Sequence, residues 1–301
     1  MPSLKAIRKR ITSVQSTQKI TRAMKMVAGA KLNRAQTRIT ELRPYAVKTQ
    51  EVLSAITARA ADAAAAESES VAEAPAHPLL EDRPEKRVLM LVVTSDRGLC
   101  GAFNTNINKR AEREWRERTD AGQEVQLVLV GRKGRDYMNR RGAPVLEYLP
   151  GVWDKLNLET AQRVGAAILA PFNRKEVDAI YLVYNEFKSA MSQQVVVERL
   201  LPVARPSGET KAEGTAEFIF EPTKGALLER LVPMYVDVSI LRALYESQAS
   251  FFGAQMTAMD SATKNAKEMI GSLTLQYNKA RQAAITKELM EIIGGSEALK
   301  D

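Results

Sequence analysis

The chain has 301 residues, 45% hydrophobic but only 6% aromatic, with a formal net charge of +8. One histidine (His77) and one cysteine (Cys100) nearly remove imidazole catalysis and the usual zinc sites, exclude an internal disulfide and suit a reducing compartment. No apolar run approaches the ~18 residues of a membrane helix, and the start has no signal-peptide pattern, as expected of a mature cytosolic chain.

The positive charge is concentrated at the beginning. Residues 1–50 hold twelve Lys or Arg against one acid, Glu41, a net of +11, so the remainder sums to about −3. Such a stretch suits a solvated basic face, a nucleic-acid groove, an anionic membrane or the acidic loops of a partner protein. Residues 3–58 contain only one proline, Pro44, and Ser3 can cap a helix starting near Leu4. Leu4, Ile7, Ile11, Val14, Gln18, Thr21, Lys25, Ala28, Leu32, Ala35, Ile39 and Leu42 keep a 3/4 spacing, apolar at both ends and polar between. A competing stripe, Ile20–Met24–Val27, reads as a local stutter in the supercoil.

Residues 59–86 change character: Ala and Glu carry the first part as helix, then Pro75, Pro78 and Pro84 break it into a linker. His77 reads there as a loop residue, and the acid pairs Glu67/Glu69 and Glu81/Asp82 as solvated. Residues 87–222 alternate in type. Arg87–Ser95 is a buried strand by its unbroken apolar run, followed by a glycine turn and a helix over about Ala102–Arg118. Val125–Gly131 is a second strand, with a helical stretch across Arg132–Arg141. Leu158–Asn173 is a helix; Ala179–Phe187 and Gln194–Leu201 form an antiparallel strand pair; Glu217–Phe220 is a last short strand. The alternation implies an open, Rossmann-like α/β sheet with helices on its faces.

Residues 223–301 read as one long helix. Phe252, Met256, Met259, Thr263, Ala266, Ile270, Leu273, Tyr277, Ala280 and Ala284 fall at strict 4/3 spacing, a heptad seam. About seventy helical residues would reach roughly 100 Å, so the helix needs a partner. The natural one is the helix at 3–58, and with a domain between them the pair is antiparallel. The fold class is therefore an α/β domain plus a long antiparallel coiled coil of the terminal helices. Leu289, Ile292 and Ile293 leave an apolar far end that needs surroundings.

Chemistry is sparse. The turn Ser95–Asn104 carries only Gly98 and Gly101, short of the three-glycine dinucleotide fingerprint, and no phosphate-loop pattern occurs in the chain. Gly98, Cys100 and Gly101 read as a structural turn, with Cys100 as packing; no catalytic, metal or cofactor-binding constellation stands out. Two rival classes remain open on the residues alone. One is a nucleic-acid-binding coiled coil, with steeply salt-dependent binding; the other is an enzyme binding nucleotide or phosphate near Gly98–Gly101.

Four stretches, Ser13–Ala28, Ser95–Asn104, Met256–Ala266 and Tyr277–Glu288, together resemble the gamma subunit of F-type ATP synthases, in order and across almost the whole length. The resemblance implies a non-catalytic rotor subunit without cofactors. It couples rotation of the proton-driven c-ring to conformational change at catalytic sites on beta, and regulates ATPase activity and proton flow. It implies three alpha and three beta subunits, epsilon and the c-ring as partners, no nucleic acid, and no membrane span of its own. The expected location is peripheral, on the cytoplasmic side of the bacterial inner membrane. Carried over by residue, Met24, Lys25, Arg281, Gln282 and Thr286 are expected to contact beta, and Val203–Thr215 to approach the c-ring.

Overall fold

The computed structural model describes residues 3–66, 78–81, 83–203 and 224–298. Helix α1 spans Leu4–Ala66 and contains Pro44; a 3-10 turn at Pro78–Leu80 precedes strand β1, Arg87–Val93. Then come α2 (Phe103–Asp120), β2 (Glu124–Val130), α3 (Arg132–Asn139), β3 (Val145–Leu149), α4 (Leu158–Asn173), β4 (Ala179–Phe187) and β5 (Gln193–Leu201). Helix α5 covers Lys224–Ala298 and contains Pro233. The expected strand at Glu217–Phe220, His77 and all of Val203–Thr215 after Val203 lie outside the described residues.

Two compact units divide the chain: Met1–Ala30 with Gln255–Asp301, and Lys31–Ala254. The second is built on a five-stranded sheet of order β3-β2-β1-β4-β5. β1 pairs in parallel with β2 and β4, β2 in parallel with β3, and β4 antiparallel with β5. The strand order reverses at β1, as in doubly wound sheets. Side chains of β1 alternate between two cores, as a period of two requires. Val88, Met90 and Val92 pack with Phe103, Ile107 and Ala111 of α2; Leu89, Leu91 and Val93 pack with Val164, Ile168 and Phe172 of α4 and Val236, Ile240 and Leu244 of α5. With both faces covered, β1 needs the continuous apolar run that marked it in the sequence.

Two details differ from the sequence-based expectation. Strand β3 carries no continuous apolar run, because it is an edge strand with exposed positions at Leu146 and Glu147. The helix expected to reach Arg141 ends at Asn139, where a turn through Gly142, at φ 64°, feeds β3.

Within the sheet unit, the close approach of α3 to β1 requires glycine. The Thr94 hydroxyl donates to the Val130 carbonyl at 2.9 Å and accepts from the Gly134 N–H at 2.8 Å. A Cβ on Gly131, at φ 92°, would stand 2.2 Å from the Thr94 carbonyl oxygen. Only glycine fits a backbone this close at a left-handed φ.

Candidate partner interface

The unit formed by the chain's two ends is a helix pair whose register can be read from three contacts. The hydroxyls of Thr21 and Thr263 are 2.8 Å apart, Lys25 Nζ donates to Asp260 Oδ1 at 2.6 Å, and Gly29 faces the Met256 sulfur. One number rises while the other falls, so the helices run antiparallel in constant register. The burial pattern follows both predicted seams. Ile7, Thr21 and Ala28 of α1 and Met259, Ala266 and Leu273 of α5 are buried, with the intervening seam positions partly covered. The expected stutter is absent. Ile20 and Val27 are 57% and 54% exposed, whereas Thr21 between them is 9% exposed.

The polar middle stays in the seam because its groups are satisfied there. Thr21 has the Gln18 carbonyl within reach and Thr263 that of Met259, so one hydroxyl bonds its own helix while the other donates across. Asp260 accepts from Lys25 and, at 2.9 Å, from Lys264. These two ammonium groups, Lys25 first, hold the Asp260 carboxyl below the usual carboxylate range.

Outside the seam the pair is unusually apolar. On α1, Met26 is 70% exposed beside Ile20 and Val27. On α5, every described position from Ile285 to Gly295 is exposed, including Ile285, Leu289, Met290, Ile292 and Ile293. By the observed register, Leu4 at the start of α1 lies beside about Ala280, so the seam ends there. Ile285, Leu289 and Ile292–Ile293 recur at helical spacing and form a stripe with no cover among the described residues. Arg281, Gln282 and Thr286 are exposed at the base of this stripe, the Thr286 hydroxyl donating to the Gln282 carbonyl at 3.0 Å. Met24 and Lys25 are half-buried about five turns away, roughly 30 Å along the helix pair. The five residues therefore form two groups on one helix pair, not a single cluster.

In the sheet unit, the turn after β1 closes on itself. The Ser95 hydroxyl donates to the Arg97 carbonyl at 2.6 Å, and Asn104 accepts from the Ser95 N–H at 3.0 Å while its amide lies 3.2 Å from Cys100 Sγ. Leu99 and Gly101 have φ of 62° and 55°, the left-handed conformation in which glycine is unstrained. A side chain at Gly98 would meet open space. Cys100 is 2% exposed; burial pushes its thiol up, so it stays a neutral packing group. Among the described residues no group of three or more His, Cys, Asp or Glu could hold a metal, and no helix is long and apolar enough to cross a membrane.

A family model described as ATP synthase matches residues 3–299. An ATP synthase gamma chain of Sorangium cellulosum is 73% identical, with all of both chains covered. The chain belongs to the ATP synthase gamma-chain family. Gamma chains of an Anaeromyxobacter species and a Geobacter species are 50% and 47% identical, again over all of both chains. Among solved structures, a chain of the central stalk/c-ring of Tetrahymena thermophila mitochondrial ATP synthase matches at 26% identity and TM-score 0.57, covering 81% of this chain and 99% of that one. A chain of the Euglena gracilis mitochondrial ATP synthase rotor has the same fold, with TM-score 0.63 at 20% identity over 94% of this chain and 98% of that one.

For a gamma-chain family member, the features that sequence reasoning missed are the satisfied polar ones. Asp260 as the acceptor for Lys25 was invisible because the two are brought together only by helix pairing. Both lie on or beside seam positions, which is the trace that the pairing leaves in the sequence. A second cluster that the sequence does not mark lies around Arg242 and Glu246 in the sheet unit, where Arg242 donates to Glu198 of β5.

Proposed function

We propose that this chain is the central rotor subunit of an F-type ATP synthase, coupling rotation of a proton-driven membrane c-ring to conformational change at catalytic sites on beta. The observation that carries this reading is the helix pair: an in-register antiparallel seam that stops near Ala280 while α5 continues with a bare apolar stripe. Exposed apolar area of this kind is unfavourable in water and stable inside a protein collar. A ring of three alpha and three beta subunits would provide that collar, with Arg281, Gln282 and Thr286 at its contact with beta. Met24 and Lys25, beside exposed Met26 and Val27, would form a second contact farther along.

The two helices differ in sequence, so the pair has no rotational symmetry. Each of three surrounding beta subunits would meet a different face, and turning the pair would change which site is favoured. A ligand or partner shifts such an equilibrium only through differential contact with its states, and an asymmetric surface supplies that difference. The basic first fifty residues suit acidic partner loops, which steer and orient by opposite charge.

On this reading the chain is not itself catalytic, and its effect on ATPase activity and proton flow is exerted through its neighbours. The segments would divide the work: 1–58 and 223–301 as the coiled coil, 87–222 as the α/β domain meeting epsilon and the c-ring, and 59–86 as linker. The chain would sit peripherally on the cytoplasmic side of a bacterial inner membrane. Gly98, Cys100 and Gly101 would serve as a structural turn without ligand.

The test is reconstitution with alpha, beta and epsilon subunits. Arg281→Ala with Gln282→Ala is expected to lower ATPase turnover of the assembled complex several-fold while the circular dichroism of the chain is unchanged. Unchanged turnover in the assembled double variant would remove these residues from the contact. Failure of the wild-type chain to co-purify with alpha and beta would overturn the whole reading.

A further inference from the structure

Within the sheet unit, a cavity of about 220 Å³ lies between α1, β4 and α5. Its α1 wall is largely aliphatic: Ile39, Leu42, Ala46 and Val47, with Arg43. The opposite wall carries Glu186, Arg242, Tyr245 and Glu246. The charges here are not equally engaged. Arg242 Nη2 donates to Glu198 Oε2 at 2.8 Å, and the buried Tyr184 hydroxyl donates to the same oxygen at 2.8 Å. Glu186 accepts from Lys188 at 2.7 Å. Glu246, one turn beyond Arg242, keeps Oε2 buried with no hydrogen-bond partner among the described residues. A buried carboxylate oxygen without a donor favours the neutral acid, which can instead donate.

We propose that Glu246 and the cavity it faces form a proton-operated latch on the Ile39–Val47 stretch of α1: the protonated carboxyl is sealed beneath this stretch, and the ionised carboxylate loosens it. Charged neighbours on α5, β4, β5 and α1 enter the balance. Burial is the strongest influence and raises the Glu246 carboxyl; Arg242 on its own helix lowers it; Glu186 from β4 and Glu198 from β5 raise it; Arg43 from α1, exposed to solvent, lowers it least. The outcome is a carboxyl pushed up to about 7. Opening the cavity to water returns it toward its ordinary value of 4.5. The closed form therefore binds the proton more tightly than the open form, and the latch weakens as pH rises from that ordinary value toward neutrality. Above about pH 7 both forms are ionised and the weakening levels off. The latch acts on the fold of this chain and does not depend on the rotor reading.

Hydrogen–deuterium exchange of the full chain, corrected for the intrinsic pH dependence of exchange, measures the opening directly. Between pH 6 and pH 8 the opening of residues 39–47 is expected to increase about tenfold, since each unit of pKa difference is a factor of ten in the coupled equilibrium. Glu246→Gln, which keeps the shape and removes the titration, is expected to hold this segment protected across the range. Glu186→Gln, which removes a repelling charge, is expected to make the rise level off at lower pH, so that less of it remains between pH 6 and pH 8. A flat wild-type profile would overturn the proposal, as would a wild-type-like rise in Glu246→Gln. If Glu246→Gln does not fold, an unshifted profile in Glu186→Gln overturns it on its own.

Discussion

The helix pair and the sheet unit are stabilised in opposite ways. In the sheet unit, six consecutive residues of β1, Val88 to Val93, are each at most 1% exposed and packed from both faces. In the helix pair, a single seam is buried, and much of it is Ala or Thr. Burial of apolar area is the main favourable term in folding, so the sheet unit carries its own stability. The helix pair buries a narrow line, and part of that line is polar. What it has instead is register, because the contacts Thr21–Thr263 and Lys25–Asp260 form across the seam in one alignment only. One region is specified by packing density, the other by matched polar groups across a narrow seam.

The largest expected effect compares the same substitution in the two regions. Leu91→Ala in the sheet leaves a cavity between closely packed layers and is expected to cost about 3–5 kcal/mol by denaturant unfolding. Leu273→Ala in the helix seam, 6% exposed and bordered by solvent, is expected to cost about 2 kcal/mol or less, because the site can collapse or hydrate. Equal costs would mean the helix pair is packed as a core, and the comparison would fail.

A polar lock at the foot of the sheet comes next. Asp178, 5% exposed, accepts from the Arg87 N–H at 2.9 Å and from its guanidinium at 2.8 Å. Burial pushes this carboxyl up, but the hydrogen bonds from Arg87 and Lys86 more than offset it and hold the group below the usual carboxylate range. Asp178→Ala leaves those donors unsatisfied and is expected to cost about 1–3 kcal/mol. Because the folded-state value is depressed, the contribution is present above the ordinary carboxylate range and is lost as pH falls through the folded value. An acid titration of stability should therefore be shallower in Asp178→Ala than in wild type.

How far the sequence discloses these features depends on whether one residue's burial can be read without its neighbour. The β1 run and both heptad seams are legible because periodicity reports burial directly. The open α/β sheet follows from alternation of types. β3 is not legible: an edge strand with Leu146 and Glu147 turned to solvent lacks a pattern in five residues. The Ile20–Met24–Val27 stripe misleads because apolar residues outrank Thr21 and Lys25 only until the partner helix presents Thr263 and Asp260. The Glu246 cluster is hidden for the same reason, since its carboxylate is one of many on a long helix until β4, β5 and α1 close over it. The candidate contacts Met24, Lys25, Arg281, Gln282 and Thr286 come from family resemblance, and no chemical pattern marks them.

A smaller effect tests the register itself. Thr21→Val and Thr263→Val each remove the cross-helix bond, yet the remaining hydroxyl still has its own backbone carbonyl, Met259 or Gln18. Neither variant orphans a buried group, so each is expected to cost under about 1 kcal/mol, and a double-mutant cycle should give a coupling of about 0.5–1 kcal/mol. A much larger coupling would make this pair the principal support of the helix seam.

The smallest stability effect, and the one that separates stability from function, is at Lys25. Its side chain is 42% exposed and it shares Asp260 with Lys264, so losing it leaves the carboxylate paired. Partly exposed ion pairs contribute little and are screened by salt. Lys25→Met is therefore expected to leave the unfolding midpoint of the isolated chain within error of wild type. The Asp260 pairing is present at neutral pH and lost only as pH falls through its depressed value, so working conditions do not mask the comparison. On the rotor reading proposed above, the same partial exposure would matter in the assembled complex, because the Lys25 ammonium would exchange Asp260 for an acidic partner loop at small cost. Lys25→Met should then slow ATPase turnover of the reconstituted complex, most clearly at low ionic strength. A variant that loses stability but keeps turnover would make Lys25 a structural seam residue alone.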